Sequence, residues 1–173
     1  GITIQGKDCL ILGAGGVARA VAYAAIQSEP TSITIANRTR QKADSLASWI
    51  NSFNSKIKTN SITLEEADTV TKVQIVINCT SLGMSPHSET SPFTSHDLGQ
   101  YHLLVDTVYS PPVTRFLSDG RSAGARTMGG LDMFIYQGLA SLDLWFAKPI
   151  SQQINVRSIS KYLKEKLMET SLS

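Results

Sequence analysis

Two stretches of this chain carry residue types whose spacing has chemical meaning. The first runs Cys9-Leu10-Ile11-Leu12-Gly13-Ala14-Gly15-Gly16-Val17-Ala18-Arg19-Ala20. A short apolar run breaks into glycines, and an Ala-rich helical run from Val17 to Ile26 follows at once. This reads as strand, tight turn, helix. Gly13, Gly15 and Ala18 fit the G-x-G-x-x-A spacing of a dinucleotide-binding turn. Gly13 lets the strand turn sharply, Gly15 has no side chain to hold a pyrophosphate off the backbone, and Ala18 lets the helix pack close. The helix N-terminus offers free N–H groups and a partial positive charge to phosphates. A glycine turn between two packed elements has the same local look, so the flanking strand and helix give the motif its weight.

The second stretch is Asn37-Arg38-Thr39-Arg40-Gln41-Lys42. In NAD-binding units an Asp or Glu ends the second strand, about 20 residues past the glycines, and binds the ribose 2′-hydroxyl. Here no acidic residue stands there. A carboxylate repels a 2′-phosphate, whereas a guanidinium binds it with charge-assisted hydrogen bonds. Lys42 lies one helical turn past Arg38, on the same side of a helix starting near Thr39. The preferred cofactor is therefore NADP; the competing reading is a solvated basic turn.

Other polar positions sit where an open parallel sheet presents its ligand crevice. The apolar run Val73 to Ile77 empties into Asn78-Cys79-Thr80-Ser81-Leu82-Gly83-Met84, with small hydroxyl residues at the strand's carboxyl end. Gly130, Met133, Gln137 and Ser141 align along one helical line, which suits a face shared by a flat ring and a polyol; an ordinary surface face fits the spacing equally. The two cysteines, Cys9 and Cys79, read as buried thiols of a reducing compartment. His87, His96 and His102 show no metal-ligand spacing.

The elements that must position these residues alternate. Strands are expected at Cys9–Leu12, Ser32–Ala36, around Lys56–Lys58, at Val73–Ile77, Leu103–Asp106 and Ala125–Thr127. Helices are expected at Val17–Ile26 and Arg40–Phe53, the latter with Ala43, Leu46, Ala47 and Ile50 buried. Thr63 to Glu66 reads as a capping box opening one or two helical turns. Pro111 and Pro112 set up a helix through Val113, Phe116 and Leu117. A helix from Gly130 to Phe146 buries Leu131, Ile135, Leu139, Leu142 and Phe146, and a last one buries Val156, Ile159, Leu163 and Leu167. Such alternation implies an α/β fold, a doubly wound parallel sheet of Rossmann type.

At 173 residues, 42% apolar and 17% charged, the chain can build one soluble, globular core. A net charge of +2 argues against nucleic-acid or membrane partners, no apolar run is long enough to span a bilayer, and no signal peptide is visible, so a cytoplasmic location is expected.

The ordered set GAGGVARA, ANRTRQKA, INCTSLGM, LLVDTVYSP and GGLDMFIYQ resembles the NADP-binding half of the shikimate dehydrogenases, from about Gly6 to Lys148. The resemblance implies reduction of 3-dehydroshikimate to shikimate with NADPH, in aromatic amino-acid biosynthesis. It implies that Gly13, Ala14, Gly15, Gly16, Val17 and Ala18 cradle the pyrophosphate, and that Asn37, Arg38, Thr39 and Lys42 bind the 2′-phosphate. It places Thr80, Ser81 and Thr107 near the cofactor, Gly130 and Met133 near the nicotinamide, and Tyr109 and Gln137 on the substrate. The family often has Arg where Lys42 stands and an apolar residue where Thr107 stands. Its catalytic Lys and Asp belong to a separate N-terminal substrate domain. The chain, which starts at Gly1 without Met, is thus expected to be a cofactor half. Residues 1–149 are then the NADP-binding domain, and 150–173 a C-terminal helix packing toward that absent domain. It is expected to hold no catalytic residue and no metal. A quinate/shikimate dehydrogenase of broader specificity, a glutamyl-tRNA reductase-like NADPH domain and a non-catalytic sensor module remain alternatives at this point.

Overall fold

The computed structural model describes residues 3–70, 72–93 and 98–170. Gly1 and His96 lie outside the described residues. Strand β1 (Asp8–Leu12) feeds helix α1 (Gly16–Gln27), and β2 (Ser32–Ala36) feeds α2 (Arg40–Phe53). Then follow β3 (Lys58–Ile62), β4 (Ile75–Asn78), β5 (Leu103–Asp106), α3 (Arg115–Ser122), β6 (Arg126–Met128), α4 (Leu131–Phe146) and α5 (Val156–Thr170). The six strands form one sheet in the order β3-β2-β1-β4-β5-β6, and every pairing is parallel. The order reverses beside β1, which opens a crevice at the carboxyl ends of β1 and β4.

Both faces of the sheet are covered, which is why the central strands read as unbroken apolar runs. Successive residues of a strand point to opposite faces. Cys9 and Ile11 accordingly pack with Ala18, Ala22, Ala43 and Ile50 of α1 and α2. Leu10 and Leu12 pack on the other side with Phe116 and Leu117 of α3 and with Phe93 and Tyr101. A third, separate cluster joins Leu131, Ile135 and Leu139 of α4 to Ile159, Leu163 and Leu167 of α5.

Three expectations need correction. The strand expected at Lys56–Lys58 is Lys58–Ile62, because this polar edge strand takes its register from β2, with Lys58 opposite Ser32 and Ile62 opposite Ala36. The helix expected through Val113 begins at Arg115, because the Thr114 hydroxyl caps it there by accepting from the Leu117 N–H, and Val113 is left exposed outside it. The Thr63–Glu66 turn, by contrast, is as expected, with the Thr63 N–H donating to Glu66 Oε2 at 2.7 Å ahead of the single 3-10 turn Ala67–Thr69. Phe146 is 59% exposed rather than buried, since the apolar cluster on α4 ends at Leu142.

Candidate functional site

Gly13 sits where β1 must leave the sheet. Its φ is +107°, a region that side-chain-bearing residues rarely adopt. A Cβ there would stand 2.9 Å from the Cys79 carbonyl oxygen. The turn is pinned by the Gly13 N–H donating to the Ala36 carbonyl at 2.7 Å, and by the Cys79 N–H donating to the Leu12 carbonyl at 2.8 Å. Gly15 and Gly16 behave differently. A Cβ on either would meet nothing within 4 Å. Gly15 is the N-cap of α1, with no side-chain cap and no acidic residue in the first turn. The positive end of α1 therefore faces open space across a bare backbone, a geometry suited to phosphate. Ala18 is fully buried, as close helix–strand packing requires, and Ala14 packs partly buried on the same core.

The turn after β2 is held by Asn37. Its N–H donates to the Ile62 carbonyl at 3.2 Å, and its side-chain amide donates to the Thr39 carbonyl at 2.9 Å. Thr39 caps α2 through its backbone alone. Arg38, Thr39 and Lys42 are all exposed. Arg40 is engaged: its Nε lies 3.2 Å from Asp44 Oδ1 and its Nη1 3.7 Å from Glu66 Oε2. Among the described residues neither Arg38 nor Lys42 has a carboxylate partner. The Ser61 hydroxyl and then Arg40 hold the Asp44 carboxyl below its usual range; the Thr63 N–H does the same for Glu66.

Between α1 and the carboxyl ends of β4 and β5 lies a cleft of about 450 Å³. Val17, Cys79, Thr80, Ser81, Met84, Thr107 and Tyr109 are among its walls. The structure thus brings the glycine helix together with Thr80, Ser81, Thr107 and Tyr109. The walls stand on a buried polar network that the sequence reading missed. Asp106 Oδ1 accepts from the Asn78 amide and from the Val108 N–H, both at 3.0 Å, and Oδ2 accepts from the Thr114 hydroxyl at 2.6 Å. Asn78 Oδ1 accepts from the Thr80 N–H at 3.0 Å and from its hydroxyl at 2.7 Å. Thr107 donates its hydroxyl to the Asn78 carbonyl at 2.9 Å. Burial pushes the Asp106 carboxyl above its ordinary range, against the pull of these hydrogen bonds. Burial likewise drives the Cys79 thiol up to about 12, so it stays protonated at neutral pH.

Gly130, which the family resemblance puts near the nicotinamide, is buried at the start of α4. A Cβ on it would lie 2.3 Å from the Thr107 carbonyl oxygen, so glycine lets α4 approach the crevice wall. Tyr109 stacks on Phe134 of α4 with ring centroids 4.3 Å apart. Gln137 does not line the cleft that Tyr109 lines. Its amide donates to the Phe134 carbonyl at 3.0 Å, and it lies along an apolar groove with Trp145, Ile159 and Leu163. Met133 is 42% exposed and lines neither.

A parallel sheet of this order, with an uncapped glycine turn at its first crossover, defines a dinucleotide-binding α/β domain. The sequence pattern described as shikimate / quinate 5-dehydrogenase matches residues 2–106, and the chain belongs to that family. It is 41% identical over 146 residues to a shikimate dehydrogenase (NADP(+)) of Methanocella arvoryzae, covering 84% of this chain and 52% of that protein. A shikimate dehydrogenase solved in complex with NADP+ superposes with a TM-score of 0.78 at 31% identity, covering 95% of this chain and 56% of that one. The Listeria monocytogenes shikimate 5-dehydrogenase, solved with shikimate and NAD, gives a TM-score of 0.79 at 28% identity, covering 92% and 56%. The chain spans about half the length of the curated relatives it matches.

Proposed function

We propose that this chain is the coenzyme-binding half of a cytoplasmic, NADP-dependent shikimate dehydrogenase, which reduces 3-dehydroshikimate to shikimate on the route to aromatic amino acids. One observation carries the reading. An open glycine cradle at the uncapped end of α1 stands one strand away from a turn whose Arg38 and Lys42 have no carboxylate partner among the described residues. A pyrophosphate fits the first feature and a 2′-phosphate the second.

In this reading Gly13 to Ala18 hold the pyrophosphate, and Asn37, Arg38, Thr39 and Lys42 hold the 2′-phosphate. Thr80, Ser81 and Thr107 line the path toward the nicotinamide. The Thr107 hydroxyl is already donated to Asn78, so it can serve a ligand as an acceptor. Gly130 and Met133 flank the ring, with Gly130 acting by letting α4 come close. When bound, the reduced coenzyme supplies a hydride. Tyr109, fixed by its stack on Phe134, and Gln137, released from the Phe134 carbonyl, reach the substrate's carboxylate and hydroxyls. Residues 1–149 form the coenzyme domain, and 150–173 face the half of the enzyme that holds the substrate and its catalytic Lys and Asp. The relatives' greater length supports that division.

Titration of the chain with NADPH and NADH tests the reading. NADPH is expected to bind at least about tenfold more tightly, the effect of one charge-assisted contact or more. Equal affinity for the two coenzymes overturns it.

A further inference from the structure

We propose that Asp106 is the positioning residue for the nicotinamide half of the crevice, governing grip there while leaving the adenosine half untouched. The proposal rests on the coenzyme reading above. Asp106 has no accessible surface, so it cannot touch a ligand itself. Its influence runs through the three separate pieces of chain that its carboxylate ties together.

The first piece is Asn78, which in turn fixes the Thr80 backbone and hydroxyl. The second is the Val108 N–H, between Thr107 and Tyr109. The third is Thr114, whose hydroxyl also accepts from the Leu117 N–H as the N-cap of α3. Thr80, Thr107 and Tyr109 are crevice walls at the ends of β4 and β5. One buried acceptor therefore joins the side chains of wall segments 28 residues apart in sequence, beside the Thr107 N–H and hydroxyl, which both donate to the Asn78 carbonyl at 2.9 Å. Nothing covalent holds them in register past the ends of the strands.

The adenosine side is held by other bonds. Gly13 is tied to Ala36, and Asn37 to Ile62 and Thr39. None of these involves Asp106. The sheet order puts β2 and β1 on one side of the switch point and β4 and β5 on the other. A ligand reaching from Arg38 to Tyr109 is thus gripped by two distinct hydrogen-bond sets, of which Asp106 anchors one.

The test compares 2′,5′-ADP, which carries only the adenosine end, with NADPH, on the whole chain. Dissociation constants are measured for the wild type and for Asp106→Asn, Thr114→Val and Thr114→Ser. Asp106→Asn and Thr114→Val are expected to weaken NADPH about tenfold, as loss of a hydrogen bond to a charged group would, and to leave 2′,5′-ADP within about twofold. Thr114→Ser, which keeps the hydroxyl, is expected to behave as wild type. If Asp106→Asn does not fold, the Thr114 pair gives the same reading. Equal losses for both ligands would mean a general structural role and overturn the proposal, as would unchanged NADPH affinity in the folded variants. A wild type that binds neither ligand removes the coenzyme reading and this inference with it.

Discussion

Asn78 and Asp106 are direct neighbours across β4 and β5, and the Asn78 amide donates to the Asp106 carboxylate at 3.0 Å with neither side chain accessible to water. A buried carboxylate is costly unless hydrogen-bonded. Here three donors meet it: the Thr114 hydroxyl, the Val108 N–H and the Asn78 amide. Desolvation still prevails, so the carboxyl titrates above its ordinary range.

That direction fixes the sign of a pH effect. The folded protein holds this proton more tightly than the unfolded chain does. The group's contribution to stability is therefore fully present below the unfolded value, about 3.9, and is lost as pH rises through the folded value. Urea unfolding between pH 4 and pH 8 is expected to show wild-type stability falling relative to Asp106→Asn as pH rises. A difference curve that climbs with pH would contradict the assignment. Asp106→Ala, which leaves all three donors without an acceptor, is expected to destabilise by about 3 kcal/mol at pH 4 and by less as pH rises, since alanine, like asparagine, does not titrate.

The glycines of the first turn separate fold from function. Gly13→Ala forces a side chain into a positive-φ site and sets its Cβ 2.9 Å from a carbonyl oxygen. A loss of about 1–3 kcal/mol in urea unfolding is expected. Gly15→Ala meets no neighbouring atom within 4 Å, and its φ of −87° suits any residue. It is expected to unfold as the wild type does while losing NADPH affinity, because its methyl group occupies the cradle. Wild-type NADPH binding by Gly15→Ala would remove the cradle from the site.

Local patterns made the glycine turn and most elements legible. β2 and α2 fall where the sequence places them, since a β-branched run and a four-residue buried stripe are each self-contained signals. β3 was shifted because an edge strand of Lys, Thr, Asn, Ser and Ile has no apolar alternation to mark its ends. The Asn78–Asp106–Thr114 network was invisible for a different reason. It exists through the register of β4 on β5 and the cap of α3, which no spacing along the chain reports. Gln137 sat on the expected helical line, yet periodicity cannot show that its amide folds back onto Phe134.

Arg38 and Arg40 are two residues apart but have different tasks. Arg38 is exposed with no carboxylate partner among the described residues, whereas Arg40 bridges Asp44 and Glu66. Arg38→Ala is expected to weaken NADPH by about 10- to 100-fold and leave NADH unchanged, as hydrogen bonds to a phosphate would. Arg40→Ala removes half-exposed ion pairs and is expected to change stability by about 0–1 kcal/mol. Coenzyme titration with both variants checks the pair. A larger NADPH loss in Arg40→Ala than in Arg38→Ala would reverse the assignment.

Reduction of a carbonyl needs a proton donor beside the developing alkoxide as well as a hydride. None of the described residues lining the β4–β5 cleft is a Lys, His, Asp or Glu. Cys79 is held protonated by burial, with a thiol at about 12, too weak an acid to serve at neutral pH. Asp106 lies beneath the wall with no surface. The 173-residue chain alone is therefore expected to bind NADPH but to show no oxidation of it when 3-dehydroshikimate is added, followed by absorbance of the reduced coenzyme. Substrate-dependent loss of that absorbance would show that a donor is present within the chain, and Tyr109, whose side chain stands on the cleft wall, would be the first residue to replace.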